Sequence, residues 1–337
     1  MQIPFVKMHG CENDYLFIDL CALDASVARA VVDGASALSR AMSNRHTGVG
    51  ADGIILISAP SPDVDAEARM RIFNADGSEA EMCGNGIRCA CAFVHGGRAG
   101  VAQPLRFETG AGVLDLKWFV NEAGAVDRVA VDMGVPRFEP ACLPVRATAP
   151  VVDLPLDRLL TDAERRALEG AAGDALGWRV TAVSMGNPHI TAFVDDVDAV
   201  ALEVIGPVLE CASAFPSRIN VHVVTVHSPD SATMRTWERG SGLTRACGTG
   251  AAAALAAGVK VDRLARSVRM AVPGGMLHLS WPDAKSSIIK TGPATTVCAG
   301  VWSTERPWEV LSTGRVSSKP AAPAWVTQCK VAQGGAP

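Results

Sequence analysis

Cys83-Gly84-Asn85-Gly86 and Cys247-Gly248-Thr249-Gly250 decide how this chain is read. Each is a cysteine followed by Gly-polar-Gly, and each opens a run of small residues that predicts a helix. The runs are Ile87-Arg88-Cys89-Ala90-Cys91-Ala92 after the first and Ala251-Ala252-Ala253-Ala254-Leu255 after the second. A thiol beside the first turn of a helix lies at the positive end of the backbone dipole, among amides the helix leaves unpaired. That setting favours thiolate and lowers the cysteine pKa. The glycines carry no Cβ, so the amides of Gly84, Asn85, Gly248 and Thr249 can approach an anion closely. For either copy alone, a tight turn with a buried structural cysteine explains the pattern equally well. Two copies with different flanks, one in each half of the chain, favour a pair of bases acting on one substrate.

The surrounding sequence repeats one scheme. In the first half, apolar runs at 5–8, 15–18, 54–57 and 68–73 predict strands, separated by turns at 9–14 and 74–79. The Ala-rich stretch 25–42 carries apolar residues at helical spacing. Residues 105–109 with 112–116 predict a hairpin, and 126–131 a strand. In the second half, strands are predicted at 178–184, 190–194, 220–226 and 232–237, with a helix near 197–209. Residues 268–272 and 276–281 form a hairpin over Pro273-Gly274-Gly275, and another strand begins at 287. Both halves therefore run strands, helix, strands, with the cysteine helix at the same relative place. The expected fold class is α+β: a duplicated unit of two pseudo-symmetric α/β lobes related by an approximate twofold axis. The lobes are expected at 1–134, carrying Cys83 and completed by a returning strand within 287–302, and at 135–286, carrying Cys247. Residues 303–337, rich in Pro, Ser and Ala, read as a loosely ordered tail.

Composition narrows the function. A chain of 337 residues suits two domains of ordinary size, and 48% hydrophobic with 20% charged residues is the balance of a soluble globular protein. The net charge of −4 is spread without a basic stripe, which argues against nucleic acid or an anionic membrane as partner. No apolar run approaches a membrane span, and the N-terminus lacks a secretory layout, so a cytoplasmic protein is expected. In such a reducing compartment the ten cysteines act as small hydrophobes or reactive thiols. Cys83, Cys89 and Cys91 are spaced C-x5-C-x-C, which is not a zinc pattern, so no metal is expected. A homodimer is allowed by general base rates for soluble enzymes, with nothing sharper behind it.

Further stretches carry a resemblance. MHGCENDYLFID, NRHTGVGADGIILI, FNADGSEAEMCGNGIRC, VSMGNPH, FPSRINV, WERGSGLTRACGTGAAAA and VPGGMLHLSW are similar to those of the diaminopimelate epimerase family, from Met1 to about Trp302. The resemblance implies two similarly folded α/β lobes, each a curved sheet around a central helix, with the active site in the cleft between them, and an epimerase of lysine and cell-wall precursor biosynthesis that uses no cofactor. It would convert LL-2,6-diaminopimelate to the meso form, its substrate a small diamino diacid. Inverting an α-carbon by proton transfer needs a base on one face and an acid on the other, which one group cannot supply. Cys83 and Cys247 take those parts, exchanging them with reaction direction. By resemblance, Asn13, Asn74, Asn187 and Asn220 offer amides to the substrate's carboxylates and ammonium groups. Arg239 pairs with the distal carboxylate, Glu238 takes the distal ammonium, and Glu238 with His189 influences the thiol pKa values. Taken singly, Asn74 and Asn187 read as turn residues, His189 as a structural histidine and Glu238-Arg239 as a solvated pair.

The chain also departs from the family. Gly53 stands where some members carry a substrate-holding glutamine, Leu243 where an acidic residue is frequent, and Cys11-Glu12 where small or apolar residues are commoner. Other readings remain open: a two-cysteine racemase or epimerase of the same fold acting on histidine or a proline derivative, or a non-catalytic amino-acid-binding protein. A thiol redox role is disfavoured, since no C-x-x-C occurs and the two thiols lie far apart in the chain.

Overall fold

The computed structural model describes residues 1–97, 102–169 and 173–304. The chain divides into two compact units, Met1–Ala130 together with the stretch from Pro293, and Val131–Gly292. In the first unit Gln2–Gly10 pairs antiparallel with Asn13–Asp19, which runs parallel to Gly53–Ser58. That strand is antiparallel to Ala68–Asn74, which is parallel to Leu105–Thr109, itself antiparallel to Gly112–Val120. The second unit repeats the alternation link by link. Arg179–Ser184 is antiparallel to Pro188–Phe193, which is parallel to Asn220–Ser228. Ser231–Glu238 follows antiparallel, Ser267–Val272 parallel to it, and Gly275–Ser280 antiparallel again. The same order of pairings in both units is the duplication that the two motifs foretold, in a mixed α+β fold.

Parallel neighbours cannot be joined by a tight turn and need a crossover. Helices supply it: Ala25–Asp33 with Ala35–Ser43 in the first unit and Leu202–Glu210 in the second. The second crossover in each unit is the cysteine helix, Gly86–Gly97 or Gly248–Lys260. Alanine, the best helix former, dominates Gly248–Lys260, and every residue from Gly250 to Gly258 is buried. A helix apolar all round belongs in a core, so this one is central to its unit. In the first unit Gly53–Ile57 is buried at each position, because both faces are covered. Ile54 and Leu56 pack with Val31, Leu38 and Met42, while Ile55 reaches Gly86 of the Cys83 helix.

Several boundaries differ from the sequence reading. The helix expected over 25–42 is broken at Gly34, whose N–H turns back to the carbonyls of Ala30 and Val32. The helix expected near 197–209 starts at Leu202. Thr225 Oγ1 accepts from the Val197 amide, and Arg235 donates to the carbonyls of Val197 and Val200, which holds that stretch out of the helix. The chain after 287 forms two strands, Ile289–Pro293 and Thr295–Ser303, the latter paired antiparallel with Gln2–Gly10. Residues 303 and 304 therefore belong to the fold, and the rest of the expected tail lies outside the described residues. The helix Asp162–Glu169, unread in the sequence, buries Leu168 in a core with Leu143, Leu156 and Ile205. Among the described residues no helix is long and apolar enough to cross a membrane.

Candidate active site

Both cysteines stand at the start of their helices, Cys247 as the N-cap residue of Gly248–Lys260 and Cys83 three residues before Gly86–Gly97. The Cys83 carbonyl accepts from the Ile87 amide at 2.9 Å and the Cys247 carbonyl from Ala251 at 3.0 Å, the same i to i+4 turn in each case. Gly86 N donates to Cys83 Sγ at 3.3 Å, and the Gly250 amide lies near Cys247 Sγ. Each sulfur therefore faces amides that the start of a helix leaves unpaired. The helix-start expectation holds at both motifs.

In the first unit the Cys83 thiol, half-buried, donates to Asn13 Oδ1 at 3.3 Å. Asn13 is oriented from behind: its Nδ2 donates to Asp52 Oδ2 at 2.7 Å, which turns the carbonyl toward the sulfur. Asp52 also accepts from the Asp14 amide, and Arg45 bridges Asp14 and Asp52 at 2.8 and 2.9 Å. Burial raises the Asp14 carboxyl, but its hydrogen bonds to Arg45 and Lys7 outweigh that and hold it below the usual carboxylate range. The Tyr15 hydroxyl lies near Cys83 and Asn13, and burial drives this phenol strongly upward, so it stays neutral. Arg88, fully buried, donates to the Gly84 carbonyl at 2.9 Å, Asn85 Oδ1 at 3.0 Å and the Pro293 carbonyl at 3.1 Å, fixing the CGNG loop. Asn85 Nδ2 in turn lies 3.4 Å from Asn13 Oδ1. Asn74 is engaged in its own turn, donating to Ser78 Oγ at 3.0 Å. A Cβ on Gly53 would lie 2.2 Å from the Phe73 carbonyl and 3.0 Å from the Tyr15 ring, so no side chain fits there.

In the second unit Cys247 is 3% exposed. Burial pushes its thiol well up, and the neighbouring Glu238 carboxylate adds to the rise against hydrogen bonds from Gly250 N and Thr249. This corrects the expectation that the helix start lowers the Cys247 pKa: loss of hydration outweighs the dipole. Thr249 Oγ1 lies 3.7 Å from the sulfur and 3.4 Å from Asn187 Nδ2. Asn187 Oδ1 is 2.8 Å from His189 Nε2, His189 Nδ1 is 2.9 Å from His222 Nε2, and His222 Nδ1 is 3.0 Å from Thr236 Oγ1. Both imidazoles are fully buried. Burial, then His222 and Arg239, keep His189 well below the usual histidine value, and burial lowers His222 to about 3. Asn220 donates to the Pro188 carbonyl at 2.8 Å and accepts from the Arg239 amide at 2.9 Å. The Arg239 guanidinium donates to the Ser217 carbonyl at 3.0 Å. Glu210 accepts from Trp237 Nε1 at 2.7 Å and Gly240 N at 3.0 Å, clamping the turn that carries Glu238 and Arg239.

The expected residues thus gather in two sets, Asn13, Gly84 and Asn85 around Cys83, and Asn187, His189, Glu238, Gly248 and Thr249 around Cys247. Asn74, and Asn220 with Arg239, are bonded within their own turns and strands. Sequence reasoning missed Tyr15, Asp52, Arg88, His222 and Thr236. One signal was available: Asn13-Asp14-Tyr15 and Asn187-Pro188-His189 start corresponding strands, Tyr15 opposite Gly53 and His189 opposite Asn220.

A sequence model of the family described as diaminopimelate epimerase matches residues 5–139 and 181–297. A diaminopimelate epimerase of Desulforudis audaxviator is 42% identical over 301 residues, covering 89% of this chain and 99% of that one. One of Pseudomonas aeruginosa is 41% identical, covering 89% and 99%. Among solved structures, a PhzF-family phenazine biosynthesis protein of Bacillus anthracis aligns with a TM-score of 0.57 at 15% identity, covering 90% of this chain and all of that one. A probable proline racemase of Agrobacterium radiobacter gives 0.57 at 15%, covering 91% and 94%. At these identities the two structures speak for the fold alone.

Proposed function

We propose that this chain, which belongs to the diaminopimelate epimerase family, interconverts LL-2,6-diaminopimelate and meso-diaminopimelate by proton transfer through its own two cysteines. The observation that carries the reading is the pair of equivalent CGxG turns, each presenting a sulfur beside the start of a buried crossover helix. A thiolate takes the α-proton from one face and the other cysteine, as thiol, returns a proton to the opposite face. One S–H forms and one is lost, so each turnover leaves the two sulfurs with exchanged roles. Charge that grows on the α-carboxylate is met by the helix-start amides of Gly84, Asn85, Gly248 and Thr249, donors fixed in advance of the reaction. Cys247, buried beside Glu238, is the thiol in the direction in which Cys83 takes the proton and the thiolate in the reverse direction. Glu238 takes the distal ammonium and influences the Cys247 thiol, and Arg239 takes the distal carboxylate. Asn13, Asn74, Asn187 and Asn220 line the substrate's polar ends, and His189 sets the surroundings of the Cys247 thiol. Both sulfurs must stay reduced, which suits a cytoplasmic enzyme.

Exchange of the substrate α-proton with solvent deuterium tests this directly. The wild type should wash deuterium into both epimers of diaminopimelate, while histidine and hydroxyproline stay unlabelled. Cys83→Ala should stop the exchange or confine it to one epimer. Full exchange in that variant would falsify the assignment of Cys83, and exchange into histidine or hydroxyproline instead would redirect the substrate.

A further inference from the structure

Five hydrogen bonds connect Thr236, His222, His189, Asn187 and Thr249 to the Cys247 sulfur, and their sense can be worked out from the two ends. Among the described residues Thr236 has His222 Nδ1 as its one side-chain partner, and Thr236 is buried. If the hydroxyl accepted there, its own hydrogen would be left buried without an acceptor, the costly case. The hydroxyl therefore donates, and His222 Nδ1 is bare. A neutral imidazole with a bare Nδ1 carries its hydrogen on Nε2. That hydrogen points 2.9 Å to His189 Nδ1, which must accept, so His189 too carries its hydrogen on Nε2. Asn187 Oδ1 accepts it at 2.8 Å, Asn187 Nδ2 donates to Thr249 Oγ1, and the Thr249 hydrogen is left for the sulfur. Every link runs the same way.

We propose that His222 is a positioning residue of the epimerase: its Nε2–H locks His189 in the neutral Nε2–H tautomer and, through Asn187 and Thr249, fixes a hydroxyl donor on the Cys247 sulfur. The proposal rests on Cys247 being one of the two acid–base groups. Hydrogen bonds in one sense polarise one another, and a donor fixed in a dry site supports negative charge on sulfur without rearrangement. The ring is also held sterically. A Cβ on Gly250 would come 2.3 Å from His222 Cε1, so the imidazole packs directly against the second glycine of the Cys247 motif. At the matching place in the first unit Ile55 lies against Gly86 and pairs with Ile72, where His222 pairs with Thr236. The device is peculiar to the Cys247 unit.

The tautomers can be read in the full-length protein labelled with 15N-histidine, from the ring nitrogen signals. His189 and His222 should each show the Nε2–H form alone; an Nδ1–H form at either overturns the proposal. His222→Gln keeps a donor toward His189 and should hold kcat within about threefold of wild type. His222→Met is similar in length with no donor, and should lower kcat about 10- to 100-fold while the His189 signals move toward the Nδ1–H form. Equal rates in the Gln and Met variants would mean that His222 only fills space. Should the Met variant not fold, Thr236→Val removes the first donor and keeps the shape; it should release the His222 tautomer and slow turnover, and an unchanged tautomer and rate defeat the idea. A wild type that epimerises nothing would sink the functional reading, while the tautomers would still decide the relay.

Discussion

Asn13-Asp14-Tyr15 and Asn187-Pro188-His189 open corresponding strands of the two units, and the residues behind them have gone different ways. Behind Tyr15 the next matching pair is Ile55 opposite Ile72; behind His189 it is His222 opposite Thr236. The first sulfur is half-buried and held by an amide that Asp52, Arg45, Asp14 and Lys7 orient through ion pairs partly open to water. The second is buried and held by a chain of neutral groups whose two histidines and Thr236 are buried. Duplication fixed the backbone register and the place of each cysteine before its helix, and it left the support behind each sulfur free to diverge. The two thiols are therefore not equivalent, although their motifs are.

The largest effect should be common to both units. Serine is close in size to cysteine and accepts readily from helix-start amides, so Cys83→Ser and Cys247→Ser should each change stability by less than about 1 kcal/mol. Each should nonetheless lower kcat by about 10³-fold or more, because a hydroxyl is a far weaker acid than a thiol. Thermal melts and steady-state rates measure both halves of this expectation. A serine variant that kept a tenth of the activity would show that one sulfur is dispensable.

Gly86→Ala and Gly250→Ala separate the units. At Gly86 the new methyl would meet the tip of Ile55 at 2.7 Å, a flexible end that can turn away. At Gly250 it would meet the His222 ring at 2.3 Å, and that ring is held by hydrogen bonds at both nitrogens. Overpacking in a core costs about 1–3 kcal/mol, so Gly86→Ala should fall near the lower end and Gly250→Ala near the upper. Urea unfolding of the two variants checks the order, and equal losses would mean that the relay gives as easily as an isoleucine side chain.

Acid should also distinguish them. His189 and His222 stay neutral when folded, their values lowered chiefly by burial, with the Arg239 charge acting on His189 as well. Unfolded, each binds a proton below about pH 6.5. The unfolded state then holds more protons, so stability falls as pH drops from about 6.5, by about 1.4 kcal/mol per unit for each histidine. For His222 the loss continues toward about 3. Asp14 has its folded value depressed by Arg45 and Lys7, so its contribution is present above the ordinary carboxylate value and is lost only below it. Between pH 6.5 and 5 the decline should come from the Cys247 unit, and His222→Gln should remove about half of that unit's share. Urea midpoints at pH 7 and pH 5 provide the reading; a wild type equally stable at both would refute it.

The contrast also shows what sequence can carry. The CGxG motifs, the order of strands and the helix starts were readable, because local periodicity and glycine placement govern them. The direction of the Cys247 shift was not, since the dipole can be inferred from a motif while burial depends on how much chain packs around it. Asn13 was legible as a polar contact, yet which end of its amide meets the sulfur is set by Asp52, thirty-nine residues away. His222 lies in an apolar run that reads as an ordinary strand, and its role appears only when its register with Thr236 and its contact with His189 are known. Gly53 looked like a lost contact; in the folded chain the Tyr15 ring and the Phe73 carbonyl already fill the place.

The turns that lead into the two strands offer the smallest test. In the second unit Gly186 takes the positive φ, at 92°, where a glycine bears no steric cost. In the first unit the two residues between Gly10 and Asn13 are Cys11 and Glu12, with φ of 56° and 62°. A two-residue hairpin loop of this kind requires positive φ at both positions, and L-residues with a Cβ resist it by about 1 kcal/mol each. Cys11 cannot be exchanged cleanly, because it is buried with its sulfur 3.6 Å from Arg88 Nη2. Glu12 is exposed, so Glu12→Gly should relieve the strain there. Part of that gain is offset by the greater freedom of glycine in the unfolded chain. A net increase of about 0.5 kcal/mol in urea unfolding is expected, with turnover unchanged. A loss of stability would mean that the Glu12 side chain contributes more to this turn than its backbone costs, and that the two turns differ for a reason other than strain.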